Sequence, residues 1–132
     1  MAVLGGDLNS VQEDAAQMKG AVKVETKDAY AIHEIKGANK MTLREYVSSD
    51  GRVFGVAWQG PFMPNMAQIL GGYLSQYSAA VEQEHTKGPG RRPLNINTPG
   101  LVVGTSGHMG SFNGRAYVPQ LVPQGVKAEE VR

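Results

Sequence analysis

The apolar residues of this chain change period along its length. From 21 to 58 they alternate with polar ones, the mark of half-buried strands. Ala21-Val22-Lys23-Val24-Glu25 opens the series, Lys27-Asp28 turns it, and Tyr30 to Ile35 is a second strand. Lys36 to Lys40 has loop chemistry, and Met41 to Ser48 and Val53 to Trp58 are strands three and four. Between these last two lies Ser49-Asp50-Gly51-Arg52, where Asp-Gly suits the two positive-φ positions of a type I′ turn. A two-residue loop there sets a register. Val47 faces Phe54, Tyr46 faces Gly55, Glu45 faces Val56, Arg44 faces Ala57 and Leu43 faces Trp58. Leu43, Val47, Phe54, Val56 and Trp58 then form the core face. On the other face Tyr46 covers the bare backbone of Gly55.

After 65 the period lengthens. Met66, Ile69, Leu70, Tyr73, Leu74, Tyr77 and Val81 make one stripe of a helix from Met66 to about Glu84, capped by Asn65. Gly71-Gly72 inside it costs about 2 kcal/mol against alanine, which close approach to a sheet would justify. A shorter helix, Val11 to Lys19, starts at the capping box Ser10-x-x-Glu13 and stops at Gly20. Leu101-Val102-Val103 is a short strand. Phe112-Asn113-Gly114-Arg115 reads as a second hairpin turn, between a strand near His108–Phe112 and one over Arg115–Val118. Pro119 and Pro123 place that last strand's end at a sheet edge. The predicted fold is α+β: an antiparallel meander sheet of four or more strands, with one long and one short helix packed on one face. A single domain spans 1–132, with an extended lead-in over 1–9, a mobile loop over 86–93 and a loose tail over 126–132.

Composition narrows the chemistry. A chain of 132 residues fits one core. Net charge is +1 with 19% charged residues, so no basic field points to nucleic acid or to an anionic membrane. Cysteine is absent, which removes disulfides, thiolate metal sites and a cysteine nucleophile. No apolar run reaches the roughly 20 residues of a spanning helix, so no transmembrane segment is expected.

The register places one carboxylate, Glu45, among apolar neighbours, and burying it requires compensation. His33 faces Glu45 in one register of strand two, and Ile32 does so after a one-residue slip. Glu45 with Arg44, Tyr46 and a histidine is therefore one candidate site, as an acid/base cluster or, more commonly, a structural ion pair. Trp58, Phe62 and Tyr73 form a second candidate, as pocket lining or as core. Other motifs fail. His33-Glu34 begins like H-E-x-x-H, but Gly37 stands at the last position and the stretch is a strand. Gly104-Thr105-Ser106-Gly107-His108 departs from G-x-S-x-G at its last residue and lacks the strand–helix setting. No catalytic residue, metal site or cofactor is assigned.

The segment REYVSSDGRVFGVAWQGPFMPNMAQILGGYL, residues 44 to 74, resembles a family of uncharacterised bacterial exported proteins, domain of unknown function 2844. The matching features are Leu4-Gly5-Gly6, Arg44 to Val47, Asp50-Gly51, Val53 to Pro61, Pro64-Asn65, Leu70-Gly71 and Gly107 to Pro119. The resemblance covers most of the chain and implies no activity. It does imply export, with Ala2 to Gly6 near a mature N-terminus after signal-peptide removal. A periplasmic or extracellular location follows as an expectation, with a cytoplasmic one as the alternative. The function expected is a non-enzymatic exported domain that binds a protein partner, a ligand or a second copy through its sheet face or an edge. The alternative is a small hydrolase-like enzyme centred on Glu45 and a histidine. It requires Glu45 and His33 or His108 to share a water-accessible cleft.

Overall fold

The computed structural model describes residues 4, 21–27, 29–37, 40–61, 70–86, 95–98, 100–108, 111–127 and 131. The expected helix over 11–19, all of the expected loop over 86–93 except Thr86, and Phe62 lie outside them. The described residues form one antiparallel sheet of seven strands and one α-helix. The strands are β1 (Ala21–Thr26), β2 (Tyr30–Lys36), β3 (Thr42–Ser48), β4 (Val53–Gly60), β5 (Asn95–Thr98), β6 (Leu101–His108) and β7 (Ser111–Tyr117). The helix is α1 (Leu74–Thr86). Strand order is β1-β2-β3-β4-β7-β6-β5. Two meanders thus meet at the β4–β7 pair, and α1 carries the chain from β4 to the far edge. No helix among the described residues is long and apolar enough to cross a membrane.

Period-two alternation gives the sheet two faces. Face A holds Ile35, Leu43, Val47, Val53, Val56, Trp58, Val103 and Ala116, all buried. Tyr73, Leu74, Tyr77, Ala80 and Val81 pack on it, so the predicted helical stripe is observed from Leu70 onward. The expected start of this helix, Asn65 to Ile69, lies outside the described residues. Leu70 is helical, Gly71–Tyr73 interrupts the stretch as a 3-10 turn, and α1 follows from Leu74. A Cβ on Gly72 would have nothing within 4 Å, so close approach to the sheet is not its reason. Two adjacent glycines weaken α-helix enough for the tighter turn to replace it.

The β3–β4 hairpin exists, with a different turn. Ser48 N–H donates to the Arg52 carbonyl at 2.8 Å, and Gly51 N–H donates to Ser48 at 2.9 Å. Within this loop only Gly51 takes positive φ, at 86°. This is the three-residue loop, a type I turn followed by a left-handed glycine. Ser48 Oγ donates to Asp50 Oδ1, which holds the Asp50 carboxyl below its ordinary range and fixes the loop. The extra loop residue shifts the first pair to Val47↔Val53. A bulge at Phe54 then restores the expected pairs from Tyr46↔Gly55 through Leu43↔Trp58. The bulge turns Phe54 out of the core face. It packs on face B against Tyr30 and Tyr46, with centroids 5.7 and 6.1 Å away.

The second hairpin also differs. β6 and β7 reverse between His108 and Ser111, so Asn113-Gly114 lies inside β7. The reason is packing. Gly114 is the cross-strand neighbour of Trp58, and the indole occupies the space a Cβ would need. β7 is an interior strand between β4 and β6, and Pro119 simply ends it at a 3-10 turn (Pro119–Leu121). β5 carries only one apolar residue, Ile96, and no periodicity announced it. Within the segment expected as a loose tail, Val131 is held in place. Val131 is fully buried over Gly55, and Arg115 Nη1 donates to its carbonyl at 3.2 Å. Val131, rather than Tyr46, is therefore what covers Gly55.

Candidate functional site

On face B, the β1–β3 end of the sheet lies beyond the tail. There an open groove of about 410 Å³ is lined by Lys23, Glu25, Lys27, Tyr30, Ile32, Glu34, Arg44 and Tyr46. The pleat explains the lining. Lys23, Glu34 and Arg44 form one cross-strand row, and Glu25, Ile32 and Tyr46 form the next. Tyr30 and Tyr46 are buried, with centroids 5.9 Å apart, and make a firm aromatic floor.

The walls are charged. Arg44 Nε donates to Glu34 Oε2 at 3.0 Å, and Lys36 Nζ lies 3.9 Å from Glu34 Oε1. Lys27 Nζ lies 2.7 Å from Glu25 Oε1. The Lys27 hydrogen bond, then its charge, holds the Glu25 carboxyl below its usual range, and Lys23 adds to this. These are surface pairs, worth little to stability. They hold charged heads above the aromatic floor. Three cations and two carboxylates line the groove, which leaves one positive charge in excess.

Glu45 is elsewhere. It points to face A, in the row Val24, His33, Glu45, Val56, Ala116, Val103, Ile96. Its register opposite His33 is the one that brings the pair together. Glu45 is 0% exposed, so no water-accessible cleft holds it, and the condition for the hydrolase reading is unmet. Desolvation lowers the His33 pKa from its ordinary 6.5. His108 is five residues along β6 from Val103, the β6 member of the Glu45 row. Among the described residues no cluster of His, Asp or Glu is placed to hold a metal ion.

The six residues singled out in the sequence therefore divide. Arg44 and Tyr46 share the groove. Glu45 and Trp58 are sealed on face A, Tyr73 packs against the same core, and Phe62 lies outside the described residues. Trp58 Nε1 is buried with no hydrogen-bond acceptor among the described residues. Sequence reasoning did not gather Lys23, Glu25, Lys27, Tyr30, Ile32 and Glu34 into the site. Their signal was the alternation of β1 and β2, which puts every second residue on one face once the register is known.

The fold and groove define a small α+β domain, a seven-stranded antiparallel sheet with a helix on one face and a charged groove on the other. The chain belongs to the family described as Protein of unknown function (DUF2844), whose model matches residues 1–131. A search of curated proteins found no match, and a search of solved structures found none.

Proposed function

We propose that this protein is a non-enzymatic binding domain, and that the groove over β1–β3 receives a polar, negatively charged group of a partner or ligand. The observation that carries the reading is the composition of the groove: charged heads held above a rigid aromatic floor, with one cation in excess. The carboxylate best suited to chemistry, Glu45, is sealed away from water on the opposite face. An exported location is part of the same proposal and rests on the family resemblance; fractionation of cells making the full-length protein tests it.

Binding is tested by melting the protein against a panel of anionic and neutral metabolites, metals and envelope polysaccharides. A ligand that binds the native state raises Tm by mass action. Anionic compounds are expected to raise it, and Arg44→Ala with Lys23→Ala to abolish the rise. A rise that survives both substitutions overturns the assignment.

A further inference from the structure

We infer that the outer edge of β1, which pairs with no strand among the described residues, pairs with β1 of a second copy of this chain, making a two-fold dimer with one continuous sheet. The inference does not rest on the groove's having a ligand, although Lys23 and Glu25 belong both to the groove lining and to this edge. β1 is an edge strand. Among the described residues the only exposed large hydrophobic side chains are Val22 and Val24, at 46% and 53%, and both are on it. Edge strands of monomers are normally blunted by charge, and Lys23 fits that role against unrelated strands. Against its own copy the same charge becomes complementary.

The backbone fixes which residues pair. Lys27 N–H donates to the Tyr30 carbonyl, so Lys27 and Tyr30 form a hydrogen-bonded pair. Such pairs alternate in an antiparallel ladder. Glu25 and Lys23 therefore bond inward to β2, while Val22, Val24 and Thr26 turn their N–H and C=O groups to the open edge. An antiparallel copy must join through those three residues. Centred on Lys23 it sets lysine against lysine, and centred on Glu25 it sets carboxylate against carboxylate. Centred on Val24 it sets Lys23 opposite Glu25 of the second copy, twice, on face B. On face A it places the two Val24 side chains together and each Val22 beside a Thr26. About six backbone hydrogen bonds close the edge. Opposite charges directly across a ladder stabilise it, and like charges destabilise it. The six residues of β1 thus select one register. So short a contact is at the low end of specific interfaces, so the dimer dissociates on dilution in the micromolar range.

The test is sedimentation of the full chain across micromolar concentrations, with circular dichroism to confirm folding. The wild type is expected to move from one chain to two as concentration rises. Lys23→Glu and Glu25→Lys singly should each raise the dimer dissociation constant at least tenfold, and the double swap K23E/E25K should restore it. Val24→Pro removes an edge N–H that β2 does not use, and should abolish the dimer. A wild type that stays monomeric throughout, or single swaps that dimerise as well as the wild type, overturns the inference.

Discussion

Replacing Gly114 by alanine tests how β4 and β7 pack. A Cβ there would lie 2.6 Å from Trp58 Cε2, closer still to Cζ2, and 2.8 Å from the Gly104 carbonyl oxygen. None of these can yield easily. The indole is 2% exposed in the middle of face A, and the carbonyl belongs to the neighbouring strand. Overpacking of this kind costs about 1–3 kcal/mol, and backbone on one side puts this site near about 3. For a chain of this size that lowers Tm by about 10 °C. Urea unfolding followed by the emission of Trp58, the only tryptophan, measures both the loss and any displacement of the ring. In a Trp58→Leu background, with unfolding followed by circular dichroism in all four proteins, the same Gly114→Ala change should cost at least about 1 kcal/mol less, because the ring is gone and only the carbonyl clash remains. If Asn113-Gly114 were a turn, alanine would cost about 1 kcal/mol whatever stood at 58. A loss below about 0.5 kcal/mol, or one that Trp58→Leu leaves unchanged, refutes the packing argument.

Three further outcomes follow from the faces. Phe54→Ala empties a fully buried site against Tyr30 and Tyr46 and should cost about 3–5 kcal/mol in denaturant melts; a loss under about 1 would mean the bulge residue is not packed. Val131→Ala should cost about 1–2 kcal/mol, far more than truncation of a solvated tail, and equal stability of the two proteins would contradict the anchor over Gly55. His33 has a folded pKa below its unfolded 6.5, so the unfolded chain takes up its proton first on acidification. The stability this group confers is complete above 6.5 and is lost as pH falls through the lower folded value. His33→Gln should remove that part of the acid sensitivity, and wild-type and variant curves that run parallel from neutral to about pH 5 would exclude it.

Strands β1 to β4 were legible because alternation and turn residues agree there. The register from Tyr46 inward was legible as well, although the turn behind it was not. Ser48 accepts and donates hydrogen bonds around Arg52, which stabilises a three-residue loop that Asp-Gly alone does not announce. Two displacements, one in the loop and one at Phe54, cancel, so most pairs survive while one aromatic changes face. Asn113-Gly114 misled for a different reason. A glycine required by a tryptophan three strands away in sequence order looks locally like a turn. β5 was invisible because Asn95-Ile96-Asn97-Thr98 offers one apolar residue and gains its order from pairing with β6. The groove was half legible. Arg44 and Tyr46 were placed on the outer face by the hairpin, but its remaining lining depends on the β1–β2 register, which only the folded sheet supplies.

The central proposal is that recognition belongs to the charged groove on face B and not to the face that buries Glu45. Amide chemical-shift mapping of the folded protein, titrated with a polyuronate such as alginate and with neutral dextran as control, tests it most directly. The perturbed amides should cluster at Lys23, Glu25, Tyr30, Glu34 and Arg44 with alginate alone, and should vanish in the Lys23→Ala, Arg44→Ala protein. Perturbations that gather around Trp58 and α1, or a groove that answers to no anion of the panel, would contradict it.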